Sequence, residues 1–131
     1  RWVEGSDADR VNALLNRLNP NLSDATHANS TTQRNRSARY VCALCLATPE
    51  EILWEGVGVC EGAIAREPRG ENGFGYDPIF QITEKTGAPE HFLGQTIAQA
   101  PPELKAAVSH RARAARQLAQ FLRAHRHKEV P

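Results

Sequence analysis

The 131-residue sequence holds no methionine and only three cysteines. No apolar run in it approaches the ~20 residues that cross a bilayer. These scarcities narrow the field. The expectation is a chain with no helical membrane span and no secretory leader. An odd number of cysteines makes no disulfide framework, and no second C-x-x-C accompanies Cys42 and Cys45 to complete a zinc site. That pair sits in an alternating apolar run, where residues three apart point to opposite faces and cannot share a metal. Packed thiols in a reducing, cytoplasmic compartment are therefore expected. The missing methionine and the opening Arg1-Trp2 lead to the expectation of a processed or cut N-terminus. Charge of one sign is also scarce: the formal net charge is +1, which argues against a general binder of polyanions. Locally the balance differs, because no acidic residue occurs from Leu104 to Lys128, whereas Lys105, Arg111, Arg113, Arg116, Arg123, Arg126 and Lys128 are basic. An anionic ligand beside this stretch and a solvated helix face are both compatible with it.

What is present is ordinary for a globular domain, or a large part of one: 40% hydrophobic and 24% charged residues. Ser6–Leu18 reads as a helix capped by Ser6 or Asp7, with Val11, Leu14, Leu15 and Leu18 as its apolar stripe and Asn19-Pro20 as its stop. Asn21–Ser37 is polar and nearly devoid of apolar side chains, so residues 19–37 form a loop excursion within a domain spanning 1–131. Arg39–Ala47 alternates, with Tyr40, Cys42, Leu44 and Leu46 on one face. Ile52–Ala65 is a second extended stretch carrying Gly56, Gly58 and Gly62. A hairpin joined at Pro49-Glu50-Glu51 is predicted, its glycines marking a bulge or a close backbone approach. Pro78–Thr83 reads as a short third strand and Glu84–Gln95 as a loop. Pro101-Pro102 opens a short helix, and Ser109 caps a longer one with Ala115, Leu118, Ala119 and Leu122 buried; one continuous helix is the alternative. This order predicts a mixed α/β domain.

Two segments carry chemistry. Gly70-Glu71-Asn72-Gly73-Phe74-Gly75-Tyr76-Asp77-Pro78 places three glycines within six residues. Such loops permit positive φ and bring a ligand close to the main chain, where free N–H groups bind phosphate. Phe74 or Tyr76 offers a ring to a heterocycle, and Asp77 accepts hydrogen bonds from a base or binds magnesium. A glycine-rich turn with core aromatics fits the composition equally. Ser109-His110-Arg111 puts His110 and Arg111 in the first turn of a helix, near free N–H groups, with Lys105 four residues earlier. Alone, a His-Arg pair on a helix is more often ordinary surface.

Together, in this order, the two segments resemble the inosine/xanthosine triphosphate pyrophosphatases (Ham1-like, non-standard purine NTP pyrophosphatases). The family run Pro-x-Gly-x-x-Gly-Phe-Gly-Tyr-Asp-Pro-x-Phe reads here Pro68-Arg69-Gly70-Glu71-Asn72-Gly73-Phe74-Gly75-Tyr76-Asp77-Pro78-Ile79-Phe80. Its Thr-x-Ala-Glu reads Thr96-Ile97-Ala98-Gln99, followed by Lys105 and Ser109-His110-Arg111. Arg1-Trp2 through Leu15 is similar to the family's Arg-Tyr-x-Gly segment and the helix after it. Gln99 stands where the family has glutamate, Ala112 where it has glycine, and the Phe80–Thr96 connection is several residues longer.

The resemblance implies a two-lobed α/β fold with a mixed elongated sheet flanked by helices, a nucleotide cleft between the lobes, and a homodimer. It implies conversion of ITP, dITP or XTP to the monophosphate and pyrophosphate with magnesium (Mg2+). Phe74, Gly75, Tyr76 and Asp77 would hold the base region; Lys105, Ser109, His110 and Arg111 would face its keto edge, with a protonated histidine among the donors. The family's N-terminal third, with an Asn-x-x-Lys phosphate loop and an Asp-Asp-Ser-Gly motif, has no counterpart in these residues. Catalytic and metal-binding groups are accordingly expected upstream of Arg1, with no metal ligand and no turnover in this chain alone. A non-catalytic nucleotide-binding or dimerisation module is the rival. A nucleic-acid module fits worst, because no exposed aromatics are interleaved with the C-terminal basic residues. Neither nucleic acid nor membrane is an expected partner.

Overall fold

The computed structural model describes residues 3–19 and 35–126. Most of the Asn21–Ser37 excursion, and the basic end at Lys128, lie outside them. Helix α1, Asp7–Leu18, begins at a reciprocal cap: the Asp9 N–H donates to the Ser6 hydroxyl (3.2 Å) and the Ser6 N–H to the Asp9 carboxylate (2.7 Å). Two otherwise orphaned donors are thereby satisfied. Val11 and Leu15 are buried on its apolar face, and burying each contributes about 1.5–3 kcal/mol. Asn19 is extended (ψ 134°), as the residue before a proline must be.

Strands β1, Ser37–Ala47, and β2, Ile52–Ile64, form the antiparallel hairpin, closed by the Thr48 N–H donating to Glu51 O at 2.8 Å. Strand β3, Phe80–Gln81, pairs with the far end of β2, giving a sheet of order β1-β2-β3 that is antiparallel throughout the described residues. The predicted third strand, Pro78–Thr83, is shorter than its composition suggests. Asp77–Ile79 instead closes a single 3-10 turn, with the Ile79 N–H bonded to Tyr76 O at 3.0 Å. Pro78 has no N–H to give a ladder. The connection after β3 carries two further 3-10 turns, Glu84–Thr86 and Glu90–Phe92.

Two helices follow, α2 (Pro102–Val108) and α3 (His110–His125), so the single-helix alternative does not hold. Ser109 is extended between them (φ −61°, ψ 152°), and its hydroxyl accepts from the Ala112 N–H at 3.1 Å. Helix α3 lies across the β1–β2 face that carries Tyr40, and the strand glycines explain how. A Cβ on Gly58 would sit 2.0 Å from His110 O and 2.5 Å from the Ala114 nitrogen; one on Gly62 would meet the Phe80 ring at 2.6 Å. Glycine there permits backbone-to-helix contact, whereas the one register shift in the hairpin falls at Leu46/Ala47.

The buried stripe of α3 is rotated from the predicted one. Ala114 is fully buried, Leu118 and Ala119 are half-buried, and Ala115 and Leu122 are exposed. Contact with Gly58 demands a small residue, and Ala114 supplies it. Arg113 reaches past the sheet edge to donate to Val59 O (2.7 Å) and Thr86 O (2.6 Å). Two apolar clusters result. One joins Cys60, Phe80, Ile82, Ile97, Leu104 and Val108 under α2; the other packs α1 against Ile64 and Ile79.

Candidate functional site

The Gly70–Phe80 loop folds around one carboxylate. Gly70, Gly73 and Gly75 have positive φ (86°, 78° and 62°), and a Cβ on Gly73 would lie 2.1 Å from Asp77 Oδ2. Asp77 is 3% exposed and carries three donors: the Tyr40 hydroxyl at 3.1 Å on Oδ1, and the Phe74 N–H (3.1 Å) and Lys105 Nζ (2.5 Å) on Oδ2. A buried carboxylate is stable only when so matched. Both oxygens already have donors, and one of these is an ammonium that would repel a metal ion placed beside it. Among the described residues no cluster of three or more His, Cys, Asp or Glu is arranged to hold one. The described residues therefore fit a magnesium site poorly, Asp77 included.

Four of the loop's N–H groups, among them those of two residues between the glycines, already have protein acceptors. Asn72 N–H donates to Ala98 O (3.0 Å), Phe74 N–H to Asp77, Gly75 N–H to Asp7 Oδ2 (2.8 Å) and Asp77 N–H to Phe74 O (3.2 Å). The bond from Gly75 ties the loop to the first turn of α1, 68 residues away in sequence. The two aromatics of the loop part company. Tyr76 packs against the α1 cluster, whereas Phe74 is 60% exposed with Lys105 Nζ 4.2 Å and the Arg111 guanidinium 5.6 Å from its ring centroid.

At the α2–α3 junction His110 and Arg111 occupy the first turn of α3, as expected. The His110 ring stacks on Tyr40 (centroids 5.0 Å apart, planes 22° apart), and its buried Nδ1 has no hydrogen-bond partner among the described residues. Burial, followed by the charges of Arg111 and Lys105, holds its pKa below the usual histidine value; Asp77 pulls the other way but loses. Its neutral form, with one N–H and one lone pair, is thus favoured over the protonated donor expected from sequence. Burial and the nearby Asp77 charge push the Tyr40 phenol well up, and burial raises the Cys60 thiol. Both keep their protons, so neither is a nucleophile.

All eight sequence-derived positions, Phe74, Gly75, Tyr76, Asp77, Lys105, Ser109, His110 and Arg111, line one cavity of about 230 Å³. Four further residues line it that sequence reasoning did not select: Tyr40, Cys60, Ile97 and Val108. Tyr40 and Cys60 come from inward positions of facing strands, where they are indistinguishable in sequence from core residues. Gln99 and Ala112 are absent from the lining. The Gln99 side-chain oxygen accepts from the Thr96 N–H (2.9 Å), a bond that glutamate makes equally well.

Comparison with known proteins places the chain in a family. The profile of the Ham1 family matches residues 1–121. The chain is 41% identical over 116 residues to a dITP/XTP pyrophosphatase of Symbiobacterium thermophilum, covering 87% of this chain and 48% of that protein. It is 39% identical over 109 residues to one from Prochlorococcus marinus, covering 83% and 45%. Among solved structures, the Ham1 protein of Staphylococcus aureus superposes with a TM-score of 0.68 at 35% identity, over 91% of this chain and 52% of that one. A HAM1 protein from Coxiella burnetii gives 0.68 at 36%, over 92% and 53%. The chain spans about half the length of the relatives it matches. A profile match over nearly all its residues, with the structural likeness, shows that this chain belongs to the Ham1 family.

Proposed function

We propose that the cavity receives the base of a non-standard purine nucleotide, and that the protein hydrolyses ITP, dITP or XTP to the monophosphate and pyrophosphate. The observation that carries this reading is the convergence, in one cavity of about 230 Å³, of an exposed ring at Phe74 with the donors Lys105, Ser109, His110 and Arg111. That volume lies below the ~300–1,000 Å³ of sites that engulf a drug-sized ligand. It suits a bicyclic base, with ribose and phosphates left outside. Stacking on an aromatic ring contributes ~1–3 kcal/mol per base. Hypoxanthine and xanthine present a 6-keto acceptor to the donors. Adenine presents an amino group there, so donors face donors and a buried group is left unpaired.

In this reading magnesium binding and attack on phosphorus belong to groups outside the residues described here, and this chain's part is base recognition. The protein works as a homodimer without nucleic acid or membrane partners. The lack of a carboxylate cluster among the described residues keeps a second reading in play: a nucleotide-binding or dimerisation module without hydrolysis. Pyrophosphate release from ITP with magnesium, assayed on the protein together with any residues that precede Arg1 in its gene, separates the two. The base reading is tested by titrating this chain with IMP and AMP and following amide NMR shifts. IMP binding at least tenfold tighter than AMP, and weakened by Phe74→Ala, is expected; equal affinities would sink it.

A further inference from the structure

We propose that Tyr40 is a positioning residue for purine selectivity, holding His110 with its ring and the Asp77–Lys105 pair with its hydroxyl. This deepens the base-recognition reading and rests on it. Tyr40 stands on the inward face of β1, in none of the motif segments. Its ring is sandwiched between Phe80 (4.4 Å, 23°) and His110 (5.0 Å, 22°). Among the described residues the buried His110 Nδ1 has no hydrogen-bond partner. Among the described residues the imidazole is therefore oriented by packing, and Tyr40 is the ring it stacks on. Two parallel rings confine the plane of the third and so fix where its N–H and lone pair point.

The hydroxyl acts in the other direction. An ionised carboxylate only accepts, so the Tyr40 proton points at Asp77 Oδ1 (3.1 Å). The opposite oxygen, Oδ2, takes the Lys105 ammonium at 2.5 Å. Tyr40 thus anchors the carboxylate from one edge while the lysine is aimed from the other. Two cavity residues, Lys105 of α2 and His110 of α3, thus depend on one β1 side chain. A donor that wanders by an ångström loses most of its preference for a keto oxygen over an amino group, because hydrogen-bond strength falls steeply with misalignment.

Tyr40→Phe keeps the ring and removes the hydroxyl; Tyr40→Leu removes both. In NMR titrations of this chain, Tyr40→Phe is expected to weaken IMP binding about tenfold, in the range of one bond to a charged group, and to change AMP binding less than twofold. Tyr40→Leu is expected to bring the IMP/AMP ratio close to one. In a Lys105→Ala background, Tyr40→Phe is expected to cost at most twofold more, since its route to the base is already cut. A residue that only stabilises the fold would lower both affinities together and leave the ratio unchanged. An unchanged ratio in Tyr40→Phe, with wild type preferring IMP, overturns the inference and leaves the site reading standing. Failure of wild type to prefer IMP overturns both. Should Tyr40→Leu fail to fold by thermal melting, Tyr40→Phe and its Lys105→Ala combination decide the matter alone.

Discussion

Replacing Asp77 by asparagine tests whether this carboxylate organises the site. The change is nearly isosteric, so no cavity forms, but one oxygen becomes an NH2 group. If Oδ1 is retained toward Tyr40, the new NH2 faces the Phe74 N–H and the Lys105 ammonium, two donors that lose their acceptor. Each bond to a charged group contributes roughly 1.5–3 kcal/mol. Lys105 recovers part of its share because 28% of its side chain is exposed, whereas the Asp77 side chain is only 4% exposed and its surroundings recover little. The net loss should be about 3–5 kcal/mol, the usual cost of breaking a buried pair from one side. With urea m-values of ~1–3 kcal/mol/M, the unfolding midpoint should fall by more than about 1 M. Urea denaturation followed by tryptophan fluorescence measures it. A loss below about 1 kcal/mol would mean that the three bonds are not acting together, and the account of the loop as wrapped around Asp77 would be wrong.

Other outcomes follow from the same contacts. Gly58→Ala should destabilise by about 1–3 kcal/mol through overpacking, because its Cβ meets His110 O at 2.0 Å, and it should weaken IMP binding by displacing the start of α3. A stable variant with intact binding would refute the close-packing role of that glycine. His110 should titrate below pH 6.5 in an NMR pH series, since burial and two neighbouring cations disfavour its charged form. Because the folded pKa is depressed, its contribution to stability is fully present above the unfolded value near 6.5 and is lost as pH falls below it. A midpoint at or above 6.5 would remove the argument for a neutral imidazole.

Much of the site was legible in sequence because it is built from local signals. Glycines at positions that need positive φ, a serine between two helical segments, and an alternating strand each act over a few residues. The capped helix α1, the hairpin and the break at Ser109 all stand where patterning placed them. Length of β3 was not legible, because whether Pro78–Thr83 pairs depends on which backbone lies alongside. The face of α3 was misjudged for a related reason. Periodicity locates an apolar stripe, but Gly58 on a distant strand decides that Ala114 meets the sheet and that Ala115 stays in water.

Residue chemistry by itself determined which groups gather here: a ring between glycines, a carboxylate, a lysine, a histidine and an arginine, in a spacing that marks the family. Only the tertiary structure decided what those groups are free to do. Burial beside Tyr40 and near two cations favours the neutral form of His110, and three donors converge on Asp77 and make it the pivot of the cavity. The physical reason is that protonation and hydrogen-bonding capacity depend on desolvation and on neighbours brought from other strands and helices, and no window along the chain contains those neighbours.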